Sequence, residues 1–219
     1  MTSCKKTLFI LTLFVFSLVA GCVTPPPKDY TKFREIDPKA ILVVPVVNRS
    51  VDVNAPDYFL TTISRPVAER GYYVFPVNLV KRMLEDDGLA DADMVHSSNP
   101  VRLAELFGAD AVLYISIEHW DAQYMVLSTQ VTVEFKYTLK CGKTGETIWE
   151  SSESMVYVPP SSGGVGGLLV MAITAAIAKA APNYIPLSQQ ANAIGVTKPH
   201  SGLPAGPYLD THGKDKDTF

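Results

Sequence analysis

The stretch that most restricts the fold lies past mid-chain, where Val131-Thr132-Val133-Glu134-Phe135-Lys136-Tyr137 alternates apolar and polar residues without a break. Successive side chains of a strand point to opposite faces, so this pattern fits a sheet with one face buried and the other in water. It belongs to the first of two long strands, about Gln123 to Lys140 and Glu146 to Tyr157, joined by Gly142-Lys143-Thr144-Gly145. The pair is expected to form an antiparallel hairpin.

Upstream, the pattern changes to strand and helix in turn. Ala40-Ile41-Leu42-Val43-Val44-Pro45-Val46-Val47 is a continuous apolar run that reads as a strand buried on both faces. Asp57 to Arg70 follows as a helix, with Phe59, Leu60, Ile63 and Val67 on one face, Gly71 as its stop and Pro66 as a kink or break. Tyr72 to Val77 is a second strand. Asn78 caps a helix carrying Leu79, Val80, Met83 and Leu84. Asn99-Pro100 opens another helix, whose apolar face holds Val101, Leu103, Leu106 and Phe107 before Gly108. Ala111 to Ile117 is the third strand. The whole predicts an α/β (α+β) fold: a mixed sheet of about five strands with flanking helices, ending in the hairpin and an apolar C-terminal helix.

The N-terminus sets the address. Lys5 and Lys6 precede an apolar run, Thr7 to Ala20, which has signal-peptide length and is too short to span a bilayer. Leu18-Val19-Ala20-Gly21-Cys22 closes it and resembles a bacterial lipobox, with Cys22 as the lipid-attachment residue. Each buried methylene contributes about 0.8 kcal/mol and stable anchoring takes at least two chains, which a triacylated cysteine exceeds. Val23 stands where an aspartate retains such proteins in the inner membrane, so the resemblance points to the outer membrane, periplasmic face. Residues 1–21 are thus a signal peptide, 22–37 a lipidated tether stiffened by Pro25-Pro26-Pro27, and 38–194 a single α/β domain. Residues 195–219, rich in Pro, Gly and His, read as an extended or disordered tail.

Removing the signal moves the net charge from −3 to −5 and leaves no basic block, which argues against nucleic acid as a partner. Cys141 is then the one free thiol, so no internal disulfide forms and stability rests on packing. It reads as an incidental half-buried residue.

Leu168 to Ala181 is a strong helix former, apolar nearly all round. Two readings of it stand. It covers the open face of the sheet, or Leu168, Leu169, Met171, Ile173 and Ile177 form a partner, oligomer or membrane contact.

Motifs with chemistry fail on spacing. Gly142-Lys143-Thr144 copies the end of a phosphate loop, but Tyr137 occupies the first glycine position. Gly164-Val165-Gly166 lacks the third glycine of a dinucleotide loop. Placing Gly88 on the invariant glycine of an EF-hand puts Met83 at the first ligand position. His96, His119, His200 and His212 show no zinc spacing, and there is no Gly-x-Ser-x-Gly elbow. No catalytic residue, metal site or cofactor is expected.

Four stretches resemble a family of bacterial outer-membrane lipoproteins of undefined function. They are Ala40 to Ser50, Ala68-Glu69-Arg70-Gly71-Tyr72-Tyr73-Val74, Leu106 to Leu113, and Leu203-Pro204-Ala205-Gly206-Pro207-Tyr208. The mature domain of that family resembles the N-terminal domain of the translocation protein TolB and the periplasmic domain of the curli secretion lipoprotein. The resemblance implies a homo-oligomer, a dimer first, and company with other outer-membrane lipoproteins, including a curli-secretion-like one. It implies an accessory role in envelope transport or secretion. Two alternatives remain open: a lipoprotein activator of a periplasmic cell-wall synthase, and an undetected hydrolase. Long membrane-inserting hairpins like those of the curli relative are not evident.

Overall fold

A computed structural model describes residues 28–124, 129–157 and 184–219. Its centre is the expected hairpin. Strand β5, Thr129–Cys141, pairs antiparallel with β6, Thr147–Tyr157, and with β4, Ala111–Tyr124, on its other side. Val131, Val133, Phe135, Tyr137 and Leu139 are buried, while Glu134 and Lys136 between them are exposed. Gln123, expected to begin the hairpin, lies in β4 instead. One extra residue on β4 between Ile117 and His119 makes a bulge. The bulge reverses the strand's parity, and Trp120 rather than His119 enters the core.

The apolar run at Ala40 makes two strands, β1 at Ala40–Val43 and β2 at Val47–Asn48. Pro45 has no N–H to give the ladder, so the strand breaks there. Val44 keeps its bond to the Leu113 carbonyl at 3.2 Å, and Ile41 to Val47 are buried throughout. β1 pairs parallel with β4 and with a short edge strand β3, Tyr73–Val74, while β2 pairs with β4 farther on. The result is a six-stranded mixed sheet in the order β3-β1-β4-β5-β6, with β2 beside β4.

The helices are α1, Thr31–Ile36; α2, Ala55–Glu69; α3, Val77–Asp86; α4, Ala92–Ser97; α5, Pro100–Phe107; and α6, Ile185–Thr197. α2 runs through Pro66 and ends before Gly71, whose φ of +86° lets the chain turn back. α3 starts at Val77, two residues before the Leu79 start that an Asn78 cap would give, and Pro76 precedes it. α5 begins as expected, with the Asn99 side chain accepting from the Val101 amide at 2.9 Å. α4 is not among the expected helices, and Asp91 caps it by accepting from the Met94 amide at 3.1 Å.

Two cores result. The larger packs α1, α2 and α6 against the full width of the sheet, including Phe33, Phe59, Ile63, Leu113, Phe135, Tyr137 and Leu187. The smaller packs α3, α4 and α5 against β1 and the start of β4 alone, through Leu42, Val44, Leu84, Val95, Leu103 and Val112. Over β5 and β6 that second face is polar, with Lys136 paired to Glu150 at 3.3 Å.

Two boundary expectations are corrected. The domain begins before residue 38, because Tyr30 and Phe33 of the supposed tether are buried at 6 % and 3 % exposure. The tail expected to be extended or disordered is ordered and packed: residues 195–197 close α6, Leu203 is wholly buried and Gly202 to Gly206 are enclosed. Past Thr197, proline and glycine leave it without regular secondary structure, yet its backbone bonds to residues far upstream.

Candidate functional site: the clasp between the first and last described segments

The tail is held where Lys28, α1 and the end of α2 meet. Gly206 donates its N–H to the Arg70 carbonyl at 2.7 Å, and Tyr208 to that of Gly71 at 3.2 Å. The buried hydroxyls of Tyr30 and Tyr72 donate to the carbonyls of Gly202 and Pro204, each at 2.8 Å. Burial pushes both phenols well above their ordinary range, so they remain donors. Trp149 of β6 donates its Nε1–H to the Ser201 carbonyl at 2.9 Å. Lys28 donates to the Glu150 and Ser201 carbonyls and lies 5.3 Å from the Trp149 ring centre.

Asp215 is the charged hub. Its carboxylate accepts from the Ala205 amide at 2.6 Å and pairs with Arg70 at 3.3 Å and Arg34 at 3.5 Å. Arg34 also donates to the Phe219 carbonyl at 2.6 Å, and the Arg70 guanidinium stacks 4.4 Å from the Phe219 ring. Burial lowers the Lys28 pKa against the opposing pull of Glu150 and Glu153. A depression of about 420 Å³ beside this hub is lined by Lys28, Thr31, Arg34, His200 and Lys216 among others.

A second polar knot lies inside the larger core. Asn192 of α6, wholly buried, accepts from the Tyr137 hydroxyl at 2.6 Å. It donates to Thr62 Oγ1 at 2.8 Å and to the Phe59 carbonyl at 3.0 Å. The sequence signal for it was Ser188 and Asn192, four apart on one helical face beside Leu187 and Ala191.

The residues that the motif comparison raised do not come together. The Gly142-Lys143-Thr144 stretch is a turn, with Gly142 donating to the Asp110 carbonyl at 2.7 Å. The acidic residues divide: Asp91 caps α4, Asp93 pairs with Arg49 at 3.6 Å and Asp86 pairs with Arg82 at 3.3 Å. Among the described residues no group of His, Cys, Asp and Glu is placed to hold a metal ion. Cys141, expected to be half-buried, is 2 % exposed. Cys22, Leu168, Leu169, Met171, Ile173, Ile177 and Gly164-Val165-Gly166 lie outside the described residues.

His96 is the one histidine set against a core. It bonds through Nε2 to the Pro45 carbonyl at 2.9 Å and stands edge-on to Tyr114 at 5.0 Å. Burial lowers its pKa, against the raising effects of the Pro45 bond and Asp93 and with help from Lys140 and Arg49. The folded protein therefore holds this proton more weakly than the unfolded chain does. Its stabilising contribution is full above about pH 6.5 and is lost as the pH falls from there through the lowered folded value. Melting temperatures from pH 7 to pH 5 should fall more steeply in the wild type than in His96→Gln, and parallel curves would refute this.

The family described as "Putative lipoprotein GNA1162-like" matches residues 28–207, the span from Lys28 to the Leu203-to-Pro207 clasp. The chain belongs to this family. "Putative lipoprotein NMB1124/NMB1162" of Neisseria meningitidis serogroup B is 35 % identical over 206 residues, covering 92 % of this chain and 96 % of that protein. The crystal structure of lipoprotein GNA1162 from Neisseria meningitidis is 35 % identical, with a TM-score of 0.53, covering 67 % of this chain and all of that one. The lipoprotein reading of the N-terminus and the α/β fold therefore agree with the GNA1162-like relatives. Among the described residues, no helix is long and apolar enough to cross a membrane.

Proposed function

We propose that this GNA1162-like lipoprotein is a non-catalytic accessory or structural component of an envelope transport or secretion assembly. Lipidated Cys22 holds it at the periplasmic face of the outer membrane. It associates with other outer-membrane lipoproteins, a curli-secretion-like one among them, and with itself as a dimer, through the segment bearing Leu168, Leu169, Met171, Ile173 and Ile177.

The observation that carries this reading is the engagement of the clustered polar groups in holding the fold. Arg34 and Arg70 both pair with Asp215, and Asn192, Thr62 and Tyr137 bond to one another. A general acid, base or nucleophile needs a group poised toward a substrate, and these groups are turned to each other. The short tether favours the accessory over the synthase activator. Lys28 is already fixed to β6, so the chain from Cys22 reaches about 20 Å at most at about 3.3 Å per residue.

The test is in-cell crosslinking of the lipidated protein, with native mass and identification of what co-purifies. A defined complex with envelope lipoproteins is expected, lost on deleting residues 168–181 and released from the membrane by Cys22→Ser. A lone monomer, or a complex with a cell-wall synthase, would overturn the reading.

A further inference from the structure

The apolar face of α5 is only half used. Leu103 and Ala104 are buried in the smaller core, while Leu106 is 50 % exposed and Phe107 is half-buried at the core's rim. Arg102 and Leu106 are four apart and share one side of the helix. With Leu89, Ser98, Asn99 and Leu103 they line an open pocket of about 610 Å³, within the range of about 300–1,000 Å³ typical of ligand sites. Its floor is three leucines. A ledge of rings runs from the same helix: Phe107 meets Phe75 at 6.2 Å, and Phe75 meets the half-exposed Tyr73 at 5.0 Å.

Charge says what fits there. Arg34, Arg49, Arg65, Arg70 and Arg82 are each ion-paired. Arg102, the remaining arginine among the described residues, makes no ion pair with any of them, Glu105 one turn along the helix included. An exposed guanidinium over an apolar floor matches a carboxylate carried beside an apolar side chain. The open, ledged shape suits a length of polypeptide rather than a small enclosed molecule.

We infer that this pocket docks a segment of another protein, with a bulky apolar side chain among Leu89, Leu103 and Leu106 and an Asp or Glu within about one helical turn of it meeting Arg102. This proposal uses none of residues 168–181, so either stands or falls without the other.

The test places the photoreactive residue p-benzoylphenylalanine at Leu106 in the full lipidated chain in its own cells, and sequences the crosslinked peptide. The expected adduct is a protein peptide with an apolar residue and an acid within four positions, and it persists when residues 168–181 are deleted. Its yield should fall about tenfold with Arg102→Glu, equivalent to about 1.4 kcal/mol. It should return when the partner's acid is changed to lysine in the Arg102→Glu background. Arg102 stands at the protein's surface, so an unchanged melting temperature of Arg102→Glu confirms that the fold is intact. No adduct, an adduct with lipid or a second copy of this chain, or a yield indifferent to Arg102→Glu would each overturn the inference.

Discussion

Asn192→Ala is expected to destabilise the protein by about 2–4 kcal/mol, since it orphans the buried Tyr137 hydroxyl and takes one bond each from Thr62 Oγ1 and the Phe59 carbonyl. An orphaned buried donor or acceptor costs about 1–3 kcal/mol. Here the Tyr137 hydroxyl loses its partner at 2.6 Å, while Thr62 Oγ1 keeps its bond to the Tyr58 carbonyl at 2.7 Å. Tyr137 and Asn192 are both wholly buried, so water cannot readily replace the lost amide. At about 2–4 °C per kcal/mol for a domain of this size, the melting temperature should drop by about 4–16 °C. Thr62→Val, which removes the acceptor of one Asn192 bond and the hydroxyl's own bond to the Tyr58 carbonyl but leaves the Tyr137 bond in place, should cost about 1–2 kcal/mol. Tyr137→Phe combined with Asn192→Leu should recover part of the loss, because both polar partners go together. A drop under about 3 °C for Asn192→Ala would show that the knot contributes little.

Gly206→Ala is expected to unseat the clasp. A Cβ at this position would stand 2.3 Å from the Gly71 carbonyl oxygen and 2.7 Å from its carbon. Backbone cannot step aside as a flexible side chain can, so the tail must lift. Lifting it endangers the Gly206 bond to Arg70 and the bond from Ala205 to Asp215. The cost should be about 3 kcal/mol or more. Hydrogen exchange should show protection lost across residues 203–219 while β4 and β5 stay protected. Protection unchanged over that span would refute the close approach. Gly88→Ala, where a Cβ meets nothing within 4 Å, should leave the clasp protected.

How far the sequence spoke depends on whether the signal was local. The hairpin was legible because alternation from Val131 to Tyr137 directly encodes which side faces the core. The α5 start was legible because Asn99 caps the helix through a bond to a residue two positions on, with Pro100 at its first turn. The clasp was not, because proline and glycine in Leu203 to Pro207 look like a loose chain. Its partners, Arg70, Gly71 and Tyr72, are more than a hundred residues upstream. The α6 knot was hidden for the same reason: Asn192 looks unfavourable in a buried helix until Thr62 and Tyr137 arrive from α2 and β5. α4 was masked by Asp91 and Asp93, which suggest a loop by charge while one of them in fact starts a helix. Of the site residues, Arg102 could not have been singled out, since its lack of an ion pair is visible only once the other arginines have found theirs.

The clasp also decides how load enters the molecule. In the proposed lipidated form, drag of the membrane on Cys22 reaches the described chain at Lys28, which is bonded across to β6 and to the tail. Tension is passed within a few residues through Tyr30 to Gly202 and through Arg34 to Asp215 and Phe219. It is shared as shear among several bonds instead of peeling one strand from the sheet edge. One joint thus ties both ends of the described chain together, and tugging on one end loads the other.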